Sequence, residues 1–142
     1  EGRLFQVLLG QLMQIPITDG VRVLKGRAPN KEADALIDNL ISYFSGQLVI
    51  FPTFQSIVKA TPFQRLVWEI ARDIPYGKTQ TYGWIAQRLG QSGAVRAVGN
   101  ALGKNRTLIL IPCHRVVGSN GSLTGFSFGL GWKRALLELE NV

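Results

Sequence analysis

Residues 82–102 read Tyr82-Gly-Trp-Ile-Ala-Gln-Arg-Leu89, then Gly90-Gln-Ser-Gly93, then Ala94-Val-Arg-Ala-Val-Gly-Asn-Ala-Leu102. The first run is expected as a short helix, the second as a turn and the third as a further helix. Helix, glycine-containing turn, helix is the helix-turn-helix pattern; any other corner between two helices is the alternative. Ala94, Ala97, Val98, Ala101 and Leu102 are expected to form the apolar stripe of the second helix. Arg96, Gly99, Asn100 and Gly103 fall on another face at i, i+3, i+4 and i+7. A mid-helix glycine costs roughly 1 kcal/mol relative to alanine. Two glycines beside an Arg and an Asn make a low surface with two polar projections, on which a nucleic-acid backbone can lie while Arg96 reaches in. Tight helix packing at the glycines is the competing explanation, and it leaves Arg96 without a use.

Working toward the N-terminus, Thr61 and Gln64 form a capping box with Pro62 at the first helical position. The helix they open buries Phe63, Leu66, Val67, Ile70 and Ala71 and ends at Ile74-Pro75-Tyr76-Gly77. Residues 51–60 are expected as a linker between a domain at 1–50 and a domain at 61–142. In the first domain, 3–9, 12–17 and 21–24 read as short strands with turn signals at Gly10 and Asp19-Gly20. Asn30 caps a helix from Lys31 to about Phe44, and Gly46 stops it. Toward the C-terminus, Leu108-Ile109-Leu110-Ile111 is a strand-sized apolar run that leads into Pro112-Cys113-His114-Arg115-Val116-Val117. A loop rich in Gly and Ser, 118–131, precedes a last helix with Trp132, Ala135, Leu136 and Leu139 as its core stripe.

The 142 residues are 46% hydrophobic and 18% charged, the balance of a globular chain. No apolar run approaches the ~20 residues that span a bilayer. The given sequence opens on Glu1-Gly2, carries no signal or lipidation motif, and leaves open whether residues precede Glu1. Sixteen Lys and Arg against nine Asp and Glu give +7, and no carboxylate occurs between Asp73 and Glu138. That stretch carries Lys78, Arg88, Arg96, Lys104, Arg106, Arg115, Lys133 and Arg134. Such a surface suits a polyanion; a solvated basic face is the bland alternative.

One cysteine excludes an internal disulfide and points to a reducing compartment, so a cytoplasmic location is expected. One cysteine next to one histidine does not make a zinc site, and neither metal nor cofactor is expected. A lone cysteine is commonly a small buried hydrophobe. Here Cys113 ends an apolar run, follows a proline and precedes His114 and Arg115, cations that favour thiolate. A thiol near its ordinary pKa is only a few per cent ionised at neutral pH, so it needs a base, and His114 is the one histidine present. Side chains at i and i+1 diverge, so a bridging water is expected between thiol and imidazole. A carboxylate that orients the ring would complete the relay, and Glu138 and Glu140 are the candidates.

Ile-Pro-Cys-His-Arg-Val at 111–116 resembles the signature of the O6-alkylguanine-DNA alkyltransferases, the methylated-DNA–protein-cysteine methyltransferases. Pro75-Tyr76-Gly77, Tyr82, Arg96-Ala97-Val98-Gly99, Asn105 and 133–140 fall in register with the same family pattern, while 1–50 resembles it only in layout. The resemblance implies an α/β (α+β) chain: a small ribonuclease H-like antiparallel sheet with a helix, then a mainly helical winged helix-turn-helix domain. It implies a monomer, nucleoid-associated if prokaryotic, that binds duplex DNA through the minor groove and flips out the damaged nucleotide. Cys113 would then take the alkyl group from O6-alkylguanine, with O4-alkylthymine as a second substrate. His114 would accept the thiol proton through a water, Glu140 would orient His114, and Asn105 would brace the cysteine turn. Tyr82 would donate a hydrogen bond to the departing guanine, and Arg96 would fill the gap in the duplex. Thr81, Tyr82, Ala94, Arg96, Ala97, Gly99, Asn100 and Arg115 would form the DNA surface. Leu108, Val116, Phe126, Ser127 and Phe128 would line the pocket.

Four positions depart from the family pattern. Phe126 stands where Tyr is frequent, Phe128 where a small residue is common, and Arg106 where Pro often follows the Asn. The zinc ligands of some members' N-terminal domains are missing. Three rival readings remain: a non-catalytic alkyltransferase-like lesion binder, against which Cys113 argues; a winged-helix regulator with a structural cysteine; and a cysteine hydrolase, disfavoured by Cys–His adjacency.

Overall fold

The computed structural model describes residues 31–51 and 60–142. The chain divides into two compact units, Glu1–Ser56 and Ile57–Val142. The strands expected at 3–9, 12–17 and 21–24, the Asn30 cap and most of the expected linker lie outside the described residues. In the first unit, helix α1 spans Lys31–Phe44. It buries Leu36, Leu40 and Tyr43, which share one face at i, i+4 and i+7. Tyr43 also packs its ring edge-on against Phe44 and Phe51.

The second unit carries helices α2 (Pro62–Arg72), α3 (Tyr82–Arg88), α4 (Val95–Gly103) and α5 (Leu130–Leu139). Its two short strands, β1 (Gln80–Thr81) and β2 (Val116–Val117), pair in parallel, Gln80 with Val116 and Thr81 with Val117. The described residues therefore combine helices with one small sheet, a mixed α/β arrangement. Among them, no helix is long and apolar enough to cross a membrane.

The capping box at Thr61 and Gln64 is complete: Thr61 N–H donates to Gln64 Oε1 at 3.0 Å, and Gln64 N–H to Thr61 Oγ1 at 3.2 Å. Helix α2 buries Val67, Trp68 and Ala71 and packs on α4. Trp68 satisfies its indole N–H on Ala101 O at 2.9 Å, pinning the two helices together. Phe63 and Ile70 are half-buried, and Leu66 is exposed rather than in the stripe.

Thr81 caps α3 by accepting from Trp84 N–H at 3.1 Å. The helix closes in a Schellman motif: Gly90 N–H reaches Gln87 O and Gln91 N–H reaches Ala86 O, both at 2.9 Å. That closure needs a left-handed residue, and Gly90 has φ +70°. A 3-10 turn, Ser92–Ala94, then leads into α4, one residue later than expected. The buried face of α4 is Val98, Ala101 and Leu102. Ala97 is exposed and Ala94 half-buried, so the apolar stripe is narrower than expected and Ala97 joins the Arg96 and Asn100 side.

Leu108, Ile109 and Leu110 are buried as expected and Ile111 is half-buried, but the run does not form a strand. Leu108 and Ile111 make an isolated bridge around a tight turn, with Leu110 N–H on Leu108 O at 2.8 Å. Ile109, at the centre of that γ-turn, has φ +72°, an outlier for a β-branched residue. The apolar run is thus a compact plug rather than an extended segment.

Gly77 and Gly90 separate two costs of adding a methyl group. Both have left-handed φ, but a Cβ at Gly77 would lie 3.1 Å from Glu140 O, whereas at Gly90 it would meet nothing within 4 Å. Gly90→Ala is expected to lose about 1–2 kcal/mol from conformation alone. Gly77→Ala is expected to lose roughly 1–2 kcal/mol more from the crowded carbonyl. Urea midpoints of the two variants check this, and equal losses would mean that the Glu140 backbone yields freely.

Candidate active site around Cys113

Pro112 sits at φ −80°, ψ 58°, the geometry of an inverse γ-turn. Cys113 N–H closes that turn on Ile111 O at 2.8 Å. Two tight turns in succession, at Ile109 and Pro112, bring the chain back so that Cys113 starts a 3-10 turn, Cys113–Arg115. Asn105 holds this path in place. Its Oδ1 accepts from Thr107 N–H and from Thr107 Oγ1, each at 2.8 Å. A backbone N–H can only donate, so Oδ1 must face Thr107 and the amide nitrogen must face the other way. Nδ2 accordingly donates to Ile111 O at 3.1 Å and to Cys113 Sγ at 3.2 Å.

Cys113 is buried, and burial pushes its thiol up to about 11. The Asn105 amide, the Lys133 ammonium and the amides of the 3-10 turn oppose that rise in part. The resting sulfur is therefore a protonated thiol with anion-stabilising groups in place around it. His114 is fully buried, and its Nε2 lies 2.8 Å from Glu140 Oε1. Burial lowers its proton affinity more than Glu140 raises it. Glu140 is also fully enclosed and accepts further N–H donors from Arg115 and Gly77.

Arg115 corrects an expectation. As a DNA-surface residue it should be exposed, but it is only 8% exposed. Its Nε and Nη2 donate to Glu140 at 2.8 and 2.9 Å, and its Nη1 to Ile74 O at 2.7 Å. Lys133 corrects another. It belongs to the acid-free basic stretch, yet its relative exposure is 0%. Its Nζ donates to Thr124 O at 2.7 Å and reaches Tyr82 Oη at 3.4 Å, 5.7 Å from the centre of the Tyr82 ring. Desolvation lowers its pKa to about 8. Lys133, Leu136, Leu137 and Glu140 lie at i, i+3, i+4 and i+7, so two charged residues share the buried face of α5. That pairing is the signal in the sequence that the Trp132-centred stripe overlooked; Trp132, Ala135 and Leu139 are half-buried.

Tyr82 Oη donates to Thr124 O at 2.8 Å. To donate to a base, this hydroxyl must first exchange that acceptor. Burial, the largest cause, raises its pKa. Thr81, expected on the DNA surface, uses its hydroxyl as the α3 cap. On α4, Arg96 and Asn100 are exposed. A Cβ at Gly99 would meet only the Tyr82 ring at 3.8 Å, and one at Gly103 only Ser127 Oγ at 3.8 Å. Internal packing therefore does not demand these glycines, which removes the packing explanation for them. Ser127 donates to Gly103 O. Phe126 and Phe128 form an edge-on pair, 6.0 Å between ring centres. Leu108 and Val116 are buried in the core.

A family model described as 6-O-methylguanine DNA methyltransferase, DNA binding domain, matches residues 62–142. The chain belongs to this family. A Mycobacterium tuberculosis protein named methylated-DNA–protein-cysteine methyltransferase is 49% identical over 104 residues, 73% of this chain and 62% of that protein. The chain thus spans less than two thirds of that relative's length. A Methanosarcina acetivorans protein of the same name is 41% identical and covers 84% of this chain and 83% of its own. Among solved structures, M. tuberculosis OGT in complex with DNA aligns with TM-score 0.72 and 40% identity, covering 86% of this chain and 79% of that one.

The buried Lys133 sets function against stability. Its folded pKa of about 8 lies below the ordinary 10.5, so its contribution to stability is whole above 10.5 and is lost as pH falls through about 8. That depression corresponds to at most roughly 3 kcal/mol at neutral pH, which screening and the bond to Thr124 trim to about 1 kcal/mol. Lys133→Met should therefore be more stable than wild type by about 1 kcal/mol at pH 7, with the advantage gone above pH ~10.5. Denaturant melts across pH check this; destabilisation at pH 7, or an advantage that persists above pH ~10.5, would contradict the assignment.

Proposed function

We propose that this chain repairs DNA by taking an alkyl group from O6 of guanine onto Cys113 Sγ. The carrying observation is Cys113 itself, the chain's single cysteine, with an orientation-fixed Asn105 N–H on its sulfur and a Glu140-bound imidazole next in sequence. The names of its relatives support the same reading. In the proposed step the sulfur attacks the alkyl carbon, an S–C bond forms and the O6–C bond breaks. The thiol proton passes to His114 through a water, and guanine leaves with the negative charge. Donors aimed at that charge, of which Tyr82 is the proposed one, lower the barrier because they bind the transition state better than the ground state. The product thioether has no hydrolytic exit, so each molecule acts once.

The helix pair α3 and α4 is proposed as the helix-turn-helix of a winged domain, with α4 entering the minor groove of duplex DNA. Arg96, Ala97, Gly99 and Asn100 would form the contact face, and Arg96 would fill the space of the flipped nucleotide. The solved DNA complex of the M. tuberculosis relative supports DNA as the partner. The exterior cations left after Arg115 and Lys133 turn inward are Lys78, Arg88, Arg96, Lys104, Arg106 and Arg134, all exposed. The ribonuclease H-like character of 1–50 is proposed from the resemblance alone, as are monomeric state and the pocket roles of Val116, Ser127 and Phe128.

Intact-protein mass spectrometry after incubation with O6-methylguanine DNA tests the function. One methyl group per protein is expected, located on Cys113, after which repair stops. Cys113→Ser should bind the same DNA and transfer nothing. Repeated turnover, or repair with an unmodified cysteine, would sink the proposal.

Arg96→Ala should weaken duplex binding and flatten the log–log salt dependence by no more than about 0.9, the share of one phosphate. It should slow repair in duplex DNA well beyond any effect on reaction with the free modified base. Equal loss on both substrates would exclude an intrahelical role for Arg96.

A further inference from the structure

We propose that Arg115 is a positioning residue: it holds Glu140 as a fixed carboxylate and thereby sets which nitrogen of His114 carries the proton and which remains a base. The inference rests on the reading of Cys113 as the nucleophile, but its geometry stands apart from that reading. The guanidinium is used on every side. Two of its nitrogens grip Glu140 at 2.8 and 2.9 Å, and the third donates to Ile74 O at 2.7 Å. Its face lies 5.8 Å from the centre of the Tyr76 ring. Buried to 8% exposure with all three nitrogens engaged, it is not presented to a phosphate.

The carboxylate of Glu140 shows what this achieves. Oε2 receives Arg115 Nε–H and Gly77 N–H; Oε1 receives Arg115 Nη2–H and faces His114 Nε2. Arg115 and the Gly77 amide can only donate, so both oxygens are acceptors, and an arginine N–H on each of them favours the ionised acid. His114 must then present N–H at Nε2, and in the neutral ring the lone pair lies on Nδ1. Burial is the largest of the causes that keep a second proton off the ring, and the positive charge that balances Glu140 is already in the site. Arg115 supplies that positive charge permanently, because guanidinium does not deprotonate. Glu140 and Arg115 already sum to zero, and a second proton on His114 would leave an uncompensated buried charge.

Apart from Glu140, the other groups around the ring act in the same sense as Arg115 or not at all. From α5, Lys133 opposes the proton, and just past its end Glu140 favours it; from its own turn, Arg115 opposes it. Cys113 adjoins it as a neutral thiol, and Tyr76 on the 74–77 loop faces Glu140 and Arg115. The charged residues of α2, namely Arg65, Glu69 and Arg72, are not among the groups acting on the ring. β1 contributes only Gln80 and Thr81.

His114 is the chain's single histidine, so its ring signals in a 15N NMR titration need no assignment by mutation. In wild-type protein at pH 7 the expected result is a neutral ring protonated at Nε2. An imidazolium, or a ring protonated at Nδ1, would overturn the proposal on unmutated protein. Arg115→Met should raise the ring's titration midpoint by about one pH unit, a tenfold change in proton affinity. It should also move the acid limb of the alkyl-transfer rate upward by the same amount. Arg115→Lys keeps the charge and should keep the wild-type midpoint. A folded Arg115→Met with an unmoved midpoint, or a slower rate with an unmoved acid limb, would reduce Arg115 to a packing role and refute the inference. The titration is read without DNA, so absence of alkyl transfer would count against the nucleophile and not against Arg115.

Discussion

The carboxylate of Glu140 is where three separate segments of the second unit meet. It stands just past the end of α5, receives Gly77 N–H from the loop after α2, and binds His114 and Arg115 from the cysteine turn. A charge this deeply enclosed is tolerable only when its oxygens are filled by donors in good geometry. Each donor comes from a segment whose position the others depend on. Tyr76 adds a bond from its hydroxyl to Leu139 O at 3.1 Å, and the left-handed Gly77 lets the loop pass close to Glu140 O. One ion pair thus closes the C-terminal helix onto the loop and orients the imidazole beside the thiol.

A second constraint is the compressed path from Asn105 to Cys113. The chain turns twice in six residues and places a β-branched side chain at φ +72°. Such a conformation persists only where surrounding structure over-determines it. Asn105 does this by substituting for backbone: its amide serves Thr107, Ile111 and Cys113 at once. The strain and the sulfur's hydrogen bond therefore have one origin. Side chains that stabilise a sulfur anion are installed around a thiol that burial keeps protonated.

Charge in this chain serves two ends that composition merges. Six cations of the acid-free stretch face solvent, and two face inward to a tyrosine, a thiol and a carboxylate. The outward set fits a polyanion; the inward set adjusts protons. Lys133 beside Cys113 is unfavourable for folding and favourable for a thiolate, the usual opposition between stability and activity at a reactive site.

Much was legible from sequence because it is local. The capping box at Thr61, the helix ends at Phe44 and Gly90, and the break before Pro75 follow from rules that act within a few residues. The cysteine, histidine and following arginine could be singled out by chemistry, and the family motif by order and spacing. Residue chemistry alone left Glu138 and Glu140 as candidates for His114, and the family resemblance selected Glu140; what sequence misplaced or left open was where Arg115 points, whether Lys133 lies in or out, and how 108–111 runs. Periodicity placed Trp132 at the centre of the last helix's core, whereas the buried face is one residue on, with Lys133 and Glu140 in it. Hydrophobicity misreads such residues because it prices a charge as if alone. Only the tertiary structure brings Glu140 to within 2.8 Å of both His114 and Arg115, residues more than twenty positions away. A buried charge is decided by its partner, and the partner is set by packing rather than by neighbours in the chain.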